Sequence, residues 1–156
     1  SRNEAISWDR CSGRRFEKGA YCMPDDGPAT DPAEWLRYAA EDLDAAERDL
    51  AGLLPRHRCF FGQQAAEKAI KAVLVFENVS FPKWHDVDAL RDLVPDGWPF
   101  VGEFPQLGVL TIWAVASRYL DTPLRPTEEH AAEAVALARR LYDAIQRDLR
   151  THGLDV

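Results

Sequence analysis

The sequence has 156 residues, 46% of them hydrophobic, and a formal net charge of -7. This length is typical of one domain with a single core, and the acidic balance argues against a general binder of nucleic acid or anionic membranes, which are held through clustered cations. No apolar run approaches the roughly 20 residues of a membrane span, and the N-terminus lacks the apolar block of a signal peptide. We therefore expect a cytoplasmic protein.

The first 22 residues differ in character from the rest. They carry five basic and three acidic side chains, and the only methionine of the sequence, Met23, follows them. We therefore expect that residues 1–22 are an added or upstream extension and that residues 23–156 form the domain. The alternative is a genuine N-terminal arm with three cations for a partner: Arg14, Arg15 and Lys18.

The cysteines indicate neither a disulfide scaffold nor a metal site. Cys11, Cys22 and Cys59 are odd in number and have no CxxC spacing. Cys59 is interpreted as a small core residue. We expect no metal and no cofactor.

Helical periodicity begins after residue 30. Asp31 is suited to cap a helix, and Pro32 to occupy its first position. Apolar residues then recur at steps of three and four, which predicts one long amphipathic helix ending before Pro55. Its apolar stripe is Leu36, Ala39, Leu43, Ala46, Leu50 and Leu53. A second helix is predicted from about Arg58 to Glu77.

Three further helices are predicted toward the C-terminus. A short third helix follows Trp84 and ends at residues 95–97, a fourth spans about residues 106–120, and a fifth runs from Thr127 to about Thr151, stopped by Gly153. No segment alternates apolar and polar residues over a sustained length, so no strand is predicted. The expected fold is all-α, an up-and-down four-helix bundle with one short additional helix.

The tryptophans of the domain fall into two groups. Trp35 and Trp113 lie within predicted helices, so we expect them in the core. Trp84 and Trp98 flank the third helix, where exposed aromatic rings would suit a dimer or partner surface.

The second helix carries an unusual set of polar side chains for a buried segment. Gln64, Lys68 and Lys71 share one face, and Gln63 with Glu67 lies beside them. For this set alone, the simplest interpretation is the solvated edge of an amphipathic helix.

His85 and Asp86 follow this helix closely. Asp86 is suited to cap the third helix. A functional interpretation places His85 near Glu67, Lys68 and Arg118, in a polar pocket that binds a nucleotide or a phosphate. A purely structural hydrogen-bond network is the simpler alternative.

Four motifs together resemble the HEPN family. They are AxxDLxxA around Asp42, CFFGQQAAEKAIKAVL from residue 59, WHDVDALRDL from residue 84 and SRYLD from residue 117. The most specific part is QQAAEKAIKA with the His-Asp pair downstream. Arg118-Tyr119 resembles the family's RYP element, with Leu120 in the place of the proline. The resemblance covers about residues 31–146.

This resemblance implies a four-helix bundle with a short additional helix, commonly a homodimer. It also implies one of two functions. Catalytic members resemble metal-independent ribonucleases, in which an arginine and a histidine four to six residues later act on the RNA backbone. Non-catalytic members are binding partners of a minimal nucleotidyltransferase encoded nearby, some within toxin–antitoxin pairs.

Two arginine–histidine pairs have the ribonuclease spacing. In the first, Arg125 and His130, a proline follows the arginine, and the two glutamates between the pair would repel a phosphodiester. In the second, Arg147 and His152, the histidine lies in the last turn before Gly153. The first pair is the preferred catalytic candidate, and the second pair is the second choice.

The resulting hypothesis is a non-catalytic HEPN-type partner of a minimal nucleotidyltransferase that binds a nucleotide and belongs to a toxin–antitoxin pair. Its candidate polar site is Gln63, Gln64, Glu67, Lys68, Lys71, His85, Asp86, Arg118 and Tyr119. The alternatives are a metal-independent ribonuclease toxin acting on RNA and a structural dimerisation module.

Overall fold

The computed structural model of the protein describes residues 30–48, 53–116 and 125–156. The expected boundary at Met23 and the motif residues Arg118 and Tyr119 lie outside this part. The described residues form six helices and no strand, which confirms the all-α fold. The helices are α1 (Pro32–Glu47), α2 (Pro55–Phe76), α3 (Val87–Arg91), α4 (Pro99–Glu103), α5 (Gly108–Ala116) and α6 (Glu128–Thr151).

Helix α1 begins where the sequence predicts. The side chain of Asp31 accepts a hydrogen bond from the backbone N–H of Ala33 at 2.9 Å, and Pro32 holds the first helical position. The described part of the predicted stripe within α1 is buried: Leu36, Ala39, Leu43 and Ala46. The helix ends at Glu47, earlier than predicted, and the next predicted stripe position, residue 50, lies outside the described part.

Helix α2 is the central element and packs against both α1 and α6. The Nε of Arg58, near the start of α2, donates to the carbonyl of Ala46 near the end of α1, so these two helices are antiparallel. Arg58 also meets Glu128 at the start of α6, whereas Phe76 at the end of α2 meets His152 at the end of α6. Helices α2 and α6 therefore run in the same direction.

Helix α5 completes the bundle on the side of α2 and α6. Its first residue, Gly108, lies beside Asp88 of α3, and Trp113 near its end lies against His130 at the start of α6. Helix α5 therefore runs opposite to α6. The long helices alternate in direction in chain order, as an up-and-down bundle requires.

The core fills the space between these helices. Trp113 is 8% exposed and packs in the core as predicted, and Cys59 is fully buried. Burial raises the pKa of the Cys59 thiol to about 11, so the thiol is protonated and unreactive near neutral pH.

None of the described helices combines the length and the apolar character needed to cross a membrane.

Helix α4 is a second short helix that the sequence pattern did not predict. Its N-cap residue, Trp98, gives no side-chain cap. Instead the buried carboxylate of Asp148, in α6, accepts a hydrogen bond from the backbone N–H of Phe100 at 2.8 Å. A cap 48 residues away along the chain leaves no local sequence signal.

Trp98 is not the exposed aromatic residue that we expected. Its side chain is 4% exposed, and its indole N–H donates to Glu77 at 2.9 Å. The His152 ring stacks on it with a centroid distance of 3.9 Å. Trp98 therefore belongs to the core, and of the two residues flanking α3 only Trp84 is exposed.

Candidate functional site

A stripe of polar residues on α2 is buried. Gln63, Glu67 and Lys71 follow each other at steps of four, and their exposed fractions are 0%, 5% and 7%. The interpretation of these three residues as a solvated helix edge is therefore wrong. Gln64 and Lys68, one position further along, are partly exposed.

Glu67 is the centre of the hydrogen bonds along this stripe. Its Oε1 lies 2.6 Å from the ammonium of Lys71, and its Oε2 accepts from the amide of Gln63 at 2.9 Å. Gln64 in turn donates to the side-chain oxygen of Gln63 at 2.7 Å. Among the described residues, no buried side-chain nitrogen or oxygen lacks a hydrogen-bond partner. The buried charges are thus paired, as a low-dielectric interior requires.

The surroundings of Glu67 keep it ionised. Burial by itself raises the pKa of this carboxyl, but the hydrogen bond and positive charge of Lys71 oppose that effect, assisted by Gln63 and His85. The net result is a pKa below the ordinary glutamate value. Glu67 is therefore an anion near neutral pH, despite its burial.

The same carboxylate fixes the segment that joins α2 to α3. The Nδ1 of His85 lies 3.2 Å from Oε2 of Glu67, and the amide of Gln63 donates to the backbone carbonyl of His85 at 3.0 Å. Because a carboxylate only accepts, Nδ1 carries the proton, and Nε2 is the remaining ring nitrogen. The His85 side chain is 58% exposed. Its imidazole is therefore held by Glu67 through Nδ1 and is otherwise open to solvent.

Gln63, Gln64, Glu67, Lys71 and His85 are called the α2 polar cluster below. Two aromatic rings cover its inner cation: the ammonium of Lys71 lies 5.7 Å from the ring centroid of Trp35 and 5.5 Å from that of Phe81. Sequence reasoning did not find these two rings. The pattern of α1 predicts only that Trp35 is inside, and Phe81 lies in an irregular segment.

Two other predicted members of the polar site, Lys68 and Asp86, make contacts outside this cluster. Lys68 forms an ion pair with Asp42 of α1, which ties the two helices together. Asp86 caps α3, with its carboxylate accepting from the backbone N–H groups of Asp88 and Ala89. Arg118 and Tyr119 lie outside the described residues.

The preferred catalytic pair, Arg125 and His130, lies at the start of α6. The Nδ1 of His130 accepts from the backbone N–H of Thr127 at 3.2 Å, while the Thr127 hydroxyl accepts from the His130 backbone N–H at 3.3 Å. This reciprocal arrangement is a capping box at the start of α6. The His130 ring lies against Trp113 with a centroid distance of 4.6 Å. Arg125 is exposed, and no hydrogen bond joins the two described side chains of this pair.

The second pair is held in structural contacts at the other end of α6. Arg147 forms ion pairs with Glu103 at 2.7 Å and with Asp148 at 2.8 Å. The His152 ring stacks on Trp98, and its Nδ1 lies 2.8 Å from the backbone carbonyl of Asp148. Since a carbonyl only accepts, this Nδ1 donates.

No group of three or more histidine, cysteine, aspartate or glutamate side chains within the described residues could hold a metal ion.

The geometry of the α2 polar cluster suits two roles: it positions the segment between α2 and α3, and it orients one exposed imidazole, that of His85. In both arginine–histidine pairs, Nδ1 of the histidine is used in a contact at the end of a helix.

Comparison with known proteins identifies the fold. The model of the HEPN domain matches residues 32–149, more than half of the chain. TT1696 from Thermus thermophilus, a crystal structure, is similar with a TM-score of 0.64 and 27% identity, over 76% of this chain and 98% of that one. ST0689, an archaeal HEPN homologue, is similar with a TM-score of 0.51 and 21% identity, over 74% of this chain and 95% of that one, and supports the fold alone. Among curated proteins, none matches this sequence.

Proposed function

This chain belongs to the HEPN domain family, and we propose that within the family it is a non-catalytic binding subunit of a minimal nucleotidyltransferase. The partner follows from the family resemblance of the QQAAEKAIKA and His-Asp motifs. On this proposal the chain is the antitoxin-like member of a toxin–antitoxin pair.

The structural contacts of the two candidate catalytic histidines and of Arg147 carry the non-catalytic part of the proposal. A ribonuclease of this type needs a histidine that is free to exchange a proton with the RNA and an arginine beside it. His130 instead closes the capping box of α6, and His152 stacks on Trp98. Arg147 is neutralised by Glu103 and Asp148. These contacts favour a binding subunit over an enzyme.

Nucleotide binding at the α2 polar cluster is the second candidate activity. The exposed, oriented imidazole of His85 favours it, because a ring nitrogen in solvent can contact a phosphate. The cations nearby argue for weak binding, since Lys68 is paired with Asp42 and Lys71 with Glu67. Calorimetric titration with ATP and GTP tests it: heat that is lost in His85→Ala would support a nucleotide site, and absence of heat for the unchanged protein would remove it.

The proposed function is tested with a minimal nucleotidyltransferase, which on this proposal is encoded near the gene of this chain. We expect the two purified proteins to co-elute as a complex in size-exclusion chromatography. In parallel, the chain alone is incubated with labelled RNA in EDTA, beside the variants His130→Ala and His152→Ala. We expect no cleavage in any of these samples. Cleavage that survives the chelator and disappears in one histidine variant would establish the ribonuclease alternative. Failure of the two proteins to associate would reject the proposed partner.

A further inference from the structure

The exposed imidazole of His85 is attached to a buried anion. Its Nδ1 lies 3.3 Å and 3.2 Å from the two carboxylate oxygens of Glu67, which is 5% exposed and ionised near neutral pH. The His85 ring has no other hydrogen-bond partner within the described part of the chain. A contact that only supports the fold uses Nδ1 and requires neither an open Nε2 nor an exposed ring.

The contact with Glu67 decides which ring nitrogen of His85 is reactive. Since a carboxylate only accepts, Nδ1 keeps its hydrogen, and Nε2 of the neutral ring has a free lone pair. A carboxylate on one ring nitrogen also raises the basicity of the other. Histidine is one of the side chains that form covalent bonds to transferred groups. Nε2 of His85 is therefore a candidate nucleophile.

The backbone on both sides of the ring is held in place. The amide of Gln63 donates to the carbonyl of His85 at 3.0 Å, and the backbone N–H of Val87 donates to the hydroxyl of Thr111 in α5 at 3.2 Å. Because Nδ1 is held as well, the direction of Nε2 is defined before a reagent arrives. A nucleophile that is already oriented loses less entropy on the way to the transition state than a free one.

The other three histidines of the sequence, all of which are described, lack one or more of these properties. Nδ1 of His130 accepts a hydrogen bond, so its lone pair is in use. The His152 ring stacks on Trp98, and its Nδ1 contacts a neutral carbonyl rather than a carboxylate. His57 is partly exposed, and its side chain forms no hydrogen bond or ion pair with the described residues. Of the four, His85 alone combines an open ring nitrogen with a buried carboxylate.

The charges around the ring suit a phosphoryl group. Lys83, two residues before His85, is exposed and forms no ion pair within the described ranges. The carboxylate of Asp86, the next residue, accepts from the backbone N–H groups of Asp88 and Ala89 at 3.0 Å and 3.2 Å, which compensate part of its charge. A cation near the ring is thus available for a group that carries about two negative charges.

We propose that Nε2 of His85 accepts a phosphoryl group from an N-phosphoryl donor of the phosphoramidate class. The Nε2 lone pair forms a bond to phosphorus, the P–N bond of the donor breaks, and the donor nitrogen, protonated beforehand, leaves with that electron pair as a neutral amine. The ring then has a hydrogen on Nδ1 and phosphorus on Nε2, and Glu67 compensates its positive charge. The proposal does not depend on a nucleotidyltransferase partner or on nucleotide binding.

Incubation of the full chain with phosphoramidate at about pH 8 tests the proposal, because an ordinary imidazole, with a pKa of about 6.5, is neutral there. Mass spectrometry of peptides kept at alkaline pH measures the phosphoryl group on each of the four histidines. We expect His85 to be modified about tenfold faster than His57, which has no carboxylate contact. Phosphorus NMR should show the Nε2 isomer at His85, because Nδ1 is occupied by Glu67.

Glu67→Gln removes the charge and retains an acceptor for Nδ1. It should slow the modification of His85 by about tenfold and leave that of His57 unchanged. His57→Gln is the matched control and should leave the rate at His85 unchanged.

Three results would overturn the proposal. They are equal rates at His85 and His57, the Nδ1 isomer at His85, and an unchanged rate at His85 in Glu67→Gln that circular dichroism shows to be folded. The first two are measured in the unchanged protein, so the test is decisive even if Glu67→Gln does not fold.

Discussion

At the residue scale, the ion pair of Glu67 and Lys71 is the least replaceable contact of the α2 polar cluster. Both side chains are more than nine-tenths buried. Removal of one partner leaves the other as an uncompensated buried charge, whereas removal of both charges does not. The two residues are therefore expected to be strongly coupled in their effect on stability.

We expect Glu67→Gln to lower the free energy of unfolding by about 3 kcal/mol, since Lys71 loses its counter-ion. Lys71→Met is expected to cost less, because Glu67 keeps its contacts with Gln63 and His85 and the methionine keeps an apolar contact with the rings that cover Lys71. Urea unfolding of both single variants and the double variant measures the coupling. If the losses in unfolding free energy of the two single variants sum to that of the double variant within about 0.5 kcal/mol, the two residues act independently.

The lowered pKa of Glu67 gives stability a defined dependence on pH. The pKa is lower in the folded chain than in the unfolded chain, so the unfolded chain binds the proton more readily. The stabilisation is complete above the ordinary glutamate value of about 4.3 and is lost as the pH falls through the lower folded value. The difference in unfolding free energy between wild type and Glu67→Gln should therefore narrow below about pH 4. A difference that stays constant in acid would contradict the assignment.

At the element scale, His130 acts as the return half of a capping box, a place normally filled by glutamate or glutamine. His130→Ala removes the acceptor for the Thr127 N–H and should cost about 1 kcal/mol. His130→Gln retains a side-chain acceptor and should recover part of that loss. Thermal unfolding of the two variants separates them, and equal stability would mean that the ring acts only through its contact with Trp113.

The elements that the sequence predicted well are those whose signals are local. The apolar stripe of α1, which includes Leu36 and Leu43, follows from the spacing of neighbouring residues. The end of α6 follows from Gly153, whose φ of +98° favours glycine. Helix α4 was missed because its cap comes from Asp148. Trp98 was placed wrongly because its contacts, Glu77 and His152, are distant in sequence.

The sequence predicted the five residues of the α2 polar cluster as polar neighbours, but it did not predict the burial of Gln63, Glu67 and Lys71. The spacing of four places Gln63, Glu67 and Lys71 in one row, and the motif includes His85. Sequence periodicity gave no reason to bury that row, because the side chains that cover it come from other parts of the chain, as Trp35 and the loop residue Phe81 do over Lys71.

At the scale of the whole molecule, Asp148 of α6 connects this long helix to the short helix α4. Its carboxylate caps α4 and pairs with Arg147, and it is 3% exposed. Asp148→Ala leaves the buried N–H of Phe100 without a partner, which should cost about 1 to 3 kcal/mol. Asp148→Asn keeps an acceptor oxygen and should cost less. Urea unfolding compares the two, and a larger loss for the asparagine variant would contradict the role as a cap.

The two histidines at the ends of α6 use the same ring atom in opposite ways. Nδ1 of His130 accepts a hydrogen bond, whereas Nδ1 of His152 donates one. The contact at the start of α6 therefore requires a ring nitrogen with a free lone pair, whereas the contact at its end requires a ring nitrogen that carries a hydrogen. The two ends of one helix are thus held by imidazoles that carry their hydrogens on different atoms.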